Sequence, residues 1–219
     1  MWLALVAGCR QRVDPAARSG PEARAALDSL LTVAGPPRPL SMSGEAVIDV
    51  EQFRFRGHFR LDRAASDDVV IELGGSTLFG GHREDVVISL ADDTLRVFDR
   101  ERGRFYEGAE LDEMISDATG ARANWARVAA DVLVLPNPAA PVEALVLGSD
   151  GASGKLPRGA FRVVVEEGRV TRATWPDPIV EGTFSDRLEV RYRWRGNVLE
   201  EITARLPERG WRVRWTASK

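Results

Sequence analysis

The chain has 219 residues, 44% of them hydrophobic, and a formal net charge of −3. That length suits one domain with a sizeable core, and the slight acidity argues against nucleic acid as a partner. Cys9 is the single cysteine, which excludes an internal disulfide and any multi-cysteine metal site.

Residues 3–9 read Leu-Ala-Leu-Val-Ala-Gly-Cys, an apolar run closed by small residues and a cysteine. This is the pattern of a bacterial lipoprotein signal, in which the cysteine becomes the acylated first residue. A full signal has a basic start and roughly 7–15 apolar residues. Neither is present, so residues 1–8 read as a truncated signal with Cys9 as the acylation site. The alternative is a cytoplasmic protein with an incidental cysteine. No later run approaches the roughly 18–20 apolar residues of a spanning helix, so attachment falls to the lipid.

Residues 9–20 are polar and aperiodic, as expected of a flexible tether, and residues 21–219 read as one domain. Pro21 opens a helix with Ala23, Ala26, Leu27, Leu30 and Leu31 on one face, and Gly35 with the following prolines ends it. The period then changes to two. Segments 43–50, 53–61, 68–73, 85–90 and 94–99 read as strands, the second with Phe53, Phe55, Phe59 and Leu61 facing away from Arg54, Arg56, His58 and Arg60. Residues 109–135 interrupt them with two helical stripes, one through Leu111, Met114 and Ile115, the other through Trp125, Val128, Val132 and Leu133. Residues 137–159, partly Gly/Ser-rich, read as loop. Strands resume at 161–166, 170–175, 187–195, 198–206 and 211–216, with turns at Glu167-Gly168 and Gly196-Asn197.

The expectation is a mainly β fold of about ten strands in one strongly curved antiparallel sheet, an incomplete β-barrel. An N-terminal helix and a central helical insert form its lid. Phe53, Phe55, Phe59, Phe161, Tyr192, Trp194, Trp211 and Trp215 alternate with polar residues, so they share one face. With Met114, Ile115 and Trp125 from the insert they line a cavity, or else helices and rings fill one another into a solid core. Period-two spacing allows both.

The segment Gly74-Gly75-Ser76-Thr77-Leu78-Phe79-Gly80-Gly81-His82 carries no charge before His82. Glycines supply no packing, so Leu78 and Phe79 are expected at a loop tip, either touching a bilayer or partner or folding back on the helices. Burying both would contribute roughly 3–6 kcal/mol.

Catalytic patterns fail. His58 lies among arginines on a polar strand face, and His82 near Glu84 and Asp85 lacks a third metal ligand. Ser76 has no nucleophile-elbow context. Gly154-Lys155 is followed by Leu156 rather than Ser or Thr, and Ser149 stands where a phosphate loop needs glycine. The sequence therefore predicts no enzyme, no cofactor and no metal.

Residues 69–136 resemble the LolA/LolB lipoprotein-carrier family. The matching features are the apolar tip Leu78-Phe79-Gly80, strands ending in Phe105-Tyr106, the helical Leu-Asp-Glu-Met-Ile at 111–115, Thr119-Gly120, and a tryptophan helix closing on Val134-Leu135-Pro136. The resemblance implies an incomplete barrel whose greasy interior holds the acyl chains of lipoproteins or lipids, with Leu78, joined by Phe79, inserting into the membrane. It also implies a lipid-anchored monomer on the outer membrane, facing the periplasm and receiving cargo from a periplasmic LolA-like carrier; Arg10 after the acylated cysteine fits that location. Segment 139–158 has no counterpart in the family. A LolA-fold lipoprotein that senses or scaffolds a protein or lipid ligand is the alternative.

Overall fold

The computed structural model describes residues 18–37, 39–50, 53–64, 68–77, 83–91, 94–119, 141–157, 159–176 and 187–218. Helix α1 spans Gly20–Ala34. Ala23, Leu27, Leu31 and Ala34 recur at intervals of three and four, which puts them on one side, and all four are buried. Burying Leu27 and Leu31 alone contributes about 3–6 kcal/mol. Gly35 closes the helix by donating its N–H to the Leu31 carbonyl at 3.0 Å.

The remaining chain is dominated by strands: β1 (Leu40–Val50), β2 (Phe53–Arg63), β3 (Val69–Thr77), β4 (Arg83–Ala91), β5 (Thr94–Asp99) and β6 (Arg104–Glu107). Helix α2 (Gly108–Thr119) follows. Then come β7 (Ala144–Gly148), β8 (Gly151–Leu156), β9 (Gly159–Glu166), β10 (Arg169–Pro176), β11 (Arg187–Arg195), β12 (Val198–Leu206) and β13 (Trp211–Ala217). A 3-10 turn at Pro207–Arg209 joins the last two.

All of these strands form one antiparallel sheet, in the order β6-β5-β4-β3-β2-β1-β13-β12-β11-β10-β9-β8-β7. Two meanders are thus fused where the first strand pairs with the last, Ala46 opposite Trp215. Among the described residues the sheet does not close. Its free edges, β6 and β7, are neighbours in sequence, and the intervening segment includes α2. The β7 edge is partly covered: Arg18 and Leu145 exchange backbone hydrogen bonds at 2.8 and 2.9 Å. An unpaired edge invites pairing with other chains, and this bridge blunts it. Of the segment expected as a tether, Arg18 pairs with Leu145 and Gly20 opens α1; residues 9–17 lie outside the described residues.

Among the described residues the sheet has thirteen strands rather than ten. The additional ones are β6, β7 and β8, the last two lying in the segment expected to be loop. Strand β3 also runs further than expected, carrying Gly74, Gly75, Ser76 and Thr77 within the ladder, with Gly75 opposite Glu84. The remainder of the expected tip, residues 78–82, lies outside the described residues. The expected hairpin turns form: Glu167 and Gly168 have φ of 52° and 73°, as a tight two-residue turn requires.

Candidate functional site: the apolar face of the sheet

Period-two alternation separates the sheet into two chemically different faces. On β2, Phe55, Phe59 and Leu61 are buried while Arg54, Arg56, His58 and Arg60 are exposed. The same division holds along β9, β10, β11 and β13. Ala23, Leu27 and Leu31 of α1 join Phe161, Val163, Val170 and Trp175 in one core cluster, so α1 covers this apolar face, resting on β7 and β10. Helix α2 packs instead against β5 and β6 at the other edge.

Across the sheet centre one row of directly opposed residues runs Tyr192, Ile202, Trp215, Ala46, Gly57, Gly75. Large side chains give way to none, and the Phe55 ring fills the gap. A Cβ on Gly57 would lie 2.7 Å from Phe55 Cζ, and one on Gly75 would lie 3.1 Å from it. Phe161 uses Gly154 in the same way, its ring 2.6 Å from where a Cβ would stand. Phe161 also stacks on Trp175 at 5.2 Å and 13°. Phe59 meets Trp215 edge-on at 5.1 Å and 62°. Such pairs add about 0.5–1.5 kcal/mol each beyond area burial.

The expected wall residues therefore fall into distinct groups. Phe55, Phe59, Phe161, Tyr192, Trp211 and Trp215 are all buried in one cluster, and Trp194 and Ile115 are half-buried against it. Trp194 is held by its indole N–H, which donates to the Val170 carbonyl at 2.9 Å, and by the Arg169 guanidinium 4.9 Å from the ring centroid. Met114 departs from expectation, being 40% exposed, while Leu111 one turn earlier takes the buried position on α2. Phe53 begins β2 opposite Val50. Cys9, Leu78, Phe79, Trp125 and His82 lie outside the described residues.

Two polar features of this face were not anticipated. Arg63 continues the Phe59–Leu61 spacing and is 2% exposed, a cation on the core side of the sheet. Burial pushes the Tyr192 phenol far above its ordinary value, with the Arg63 charge opposing the shift. The Tyr192 hydroxyl and the indole N–H groups of Trp175 and Trp215 are buried without a hydrogen-bond partner among the described residues. Arg63 was legible in principle, since it falls in phase with the apolar positions. The orphaned donors were not, because orphaning depends on what packs around them.

Among the described residues there is no group of three or more His, Cys, Asp or Glu side chains able to hold a metal. Nor is there a helix long and apolar enough to cross a membrane. No protein-family model matches the chain, and no curated protein matches it. Among the solved structures that are similar is a DUF1329 family protein from Desulfovibrio piger, 12% identical, matched over 90% of this chain and 89% of that one, with a TM-score of 0.45.

Proposed function

We propose that the protein is a lipid-anchored, periplasm-facing protein of the outer membrane that lodges acyl chains of lipoproteins or lipids against the apolar face of its open sheet and passes them to the bilayer. The observation that carries this reading is the aromatic face itself, which combines ring surfaces with donors on Tyr192, Trp175 and Trp215 that have no partner among the described residues. Aliphatic chains gain about 0.8 kcal/mol per buried methylene, so rings offer them non-directional affinity. An unsatisfied buried donor costs about 1–3 kcal/mol, which an ester or amide carbonyl beside the chains would recover. In this reading the sheet forms a half-barrel, α1 and the helical insert form its lid, and a LolA-like periplasmic carrier supplies the cargo. Cys9 carries the anchor, and Leu78 and Phe79 touch the bilayer. No step of covalent chemistry is required.

The test is transfer of a fluorescently acylated peptide from the protein to liposomes. Leu78→Glu combined with Phe79→Glu is expected to abolish transfer while acyl binding in solution persists; unchanged transfer removes the tip from the mechanism. A second reading has its own support. Phe55 and Phe161 lie directly on Gly57, Gly75 and Gly154, as rings do in a solid core. If α1 and the insert stay closed over them, the protein is a sensor or scaffold of the outer membrane that recognises its ligand elsewhere, and it binds no soluble acyl probe.

A further inference from the structure

The opposite face of the sheet carries a site of different chemistry. Register places Val164, Arg172, Arg191, Thr203, Arg214, Val47, Arg56 and Ser76 in one continuous row across it. The row contains four arginines and no acid, in a chain of net charge −3. Arg172 and Arg191 stand directly opposite each other on neighbouring strands, both exposed. Like charges so placed destabilise a sheet. Among the described residues Arg172 makes no ion pair, and the carboxylate nearest Arg191 is Glu189 of its own strand, at 3.7 Å.

This pair opens onto a depression of about 640 Å³, whose rim also carries Arg162 and Arg193. Glu166 and Glu201 are the acids at its wall; Arg162 pairs with Asp150 at 3.1 Å and Arg193 with Glu200 at 3.6 Å, so Arg172 and Arg191 are the cations that the hollow itself presents. Glu201 is already engaged, by Arg193 at 3.5 Å and by the hydroxyls of Thr203 and Thr216 at 3.2 and 3.4 Å. The depression owes its shape to the backbone. The register slips at Thr171 in β10, between Val170 and Arg172, and again opposite Arg193 and Trp194, where Glu200 of β12 is the extra residue. Bulges bend a strand and re-aim side chains, and they recur beside binding sites. Thr171, the residue left over in the first slip, lines the hollow.

We infer that this hollow binds a phosphate group, with Arg172 and Arg191 gripping its oxygens. Two planar guanidinium forks on adjacent strands, about 4.8 Å apart, suit the several acceptor oxygens of one phosphate, and the anion relieves their mutual repulsion. The volume exceeds that of a bare phosphate ion and leaves space for the group that bears it. The phosphate belongs either to a soluble phosphorylated compound or to a lipid headgroup. The site lies on the face away from the acyl-binding reading and stands independently of it.

The full-length chain is assayed with inorganic pyrophosphate by calorimetry, and with phosphatidylglycerol against phosphatidylcholine vesicles by co-sedimentation. The variants are Arg172→Gln with Arg191→Gln, and Arg60→Gln as an equal-type control on the same face outside the hollow. Saturable pyrophosphate binding that falls about tenfold or more in the double variant, but not in Arg60→Gln, supports a soluble phosphate ligand. Preference for phosphatidylglycerol vesicles lost in the same variant, without pyrophosphate binding, supports a lipid phosphate. If the wild-type chain binds neither probe, or Arg60→Gln weakens binding as much as the double variant, the inference is overturned.

Discussion

Gly74 and Gly75 are adjacent in β3, yet alanine should have opposite effects at the two positions. A Cβ on Gly74 meets nothing within 4 Å among the described residues, whereas one on Gly75 would lie 2.7 Å from Gly57 Cα, 2.8 Å from the Arg56 carbonyl oxygen and 3.1 Å from Phe55 Cζ. Neither glycine has the positive φ that would itself disfavour alanine. Replacing a strand glycine normally gains about 0.5–1 kcal/mol, because less backbone entropy is lost on folding. At Gly75 that gain is set against overpacking, which costs about 1–3 kcal/mol, and two of the three conflicting atoms are backbone. Gly75→Ala should therefore lose about 1–2 kcal/mol net, lowering Tm by about 2–8 °C, while Gly74→Ala should be neutral or gain up to about 1 kcal/mol. Urea unfolding followed by tryptophan fluorescence, with the slope m held in common, measures both. Equal effects at the two sites, or a stabilised Gly75→Ala, would refute the placement of the Phe55 ring over the glycine pair.

Three other outcomes follow from the same packing and electrostatics. Trp215→Ala removes the partner of Phe59 from the sheet centre and should cost about 3–5 kcal/mol in the same unfolding assay, with loss of near-ultraviolet dichroism. Tyr192→Phe deletes a buried hydroxyl that has no partner among the described residues and should hold or raise stability by about 1 kcal/mol; a comparable loss would mean the hydroxyl is bonded in the folded protein. The Ser41 hydroxyl donates to Asp62 at 2.6 Å and holds that carboxyl below its ordinary value, aided by Arg60 and opposed by desolvation. Since the folded value is the lower one, the stabilisation is present above the usual carboxylate pKa and disappears as pH falls through the lowered value. NMR titration of Ser41→Ala should move Asp62 upward toward the ordinary value, and an unmoved titration would exclude the hydroxyl as the cause.

Local period carried most of the architecture. The alternation of Phe55, Phe59 and Leu61 with arginines placed β2 and its faces correctly, and Ala23, Leu27 and Leu31 placed α1. The hairpin β7–β8 was lost for a physical reason. Gly151, Ser153 and Gly154 have the composition of a loop, but Gly154 is bare because the Phe161 ring of the neighbouring strand occupies its side-chain space. That need is non-local, so no window along the chain can report it. Gly75 has the same loop-like composition and is instead the partner of Gly57. The short edge strand β6, four residues long, offered too few positions for a period. The arginine row is the clearest case of hidden order. Each arginine looks like an ordinary polar-face residue on its own strand, and the compositional preference for arginine over lysine concealed any local signal. Only the cross-strand register aligns Arg172, Arg191, Arg214 and Arg56 without an intervening acid.

The claim that the aromatic face accepts acyl chains is tested most directly by quenching with a brominated fatty acid. Trp175, Trp211 and Trp215 all lie in the buried cluster, so bromine admitted beneath the lid must approach them. The account predicts saturable quenching at one equivalent, reversed by unbrominated palmitate and weakened by Phe59→Glu in a variant verified to be folded. Tryptophan emission that stays unchanged through saturating probe would contradict it and leave the face as a closed core.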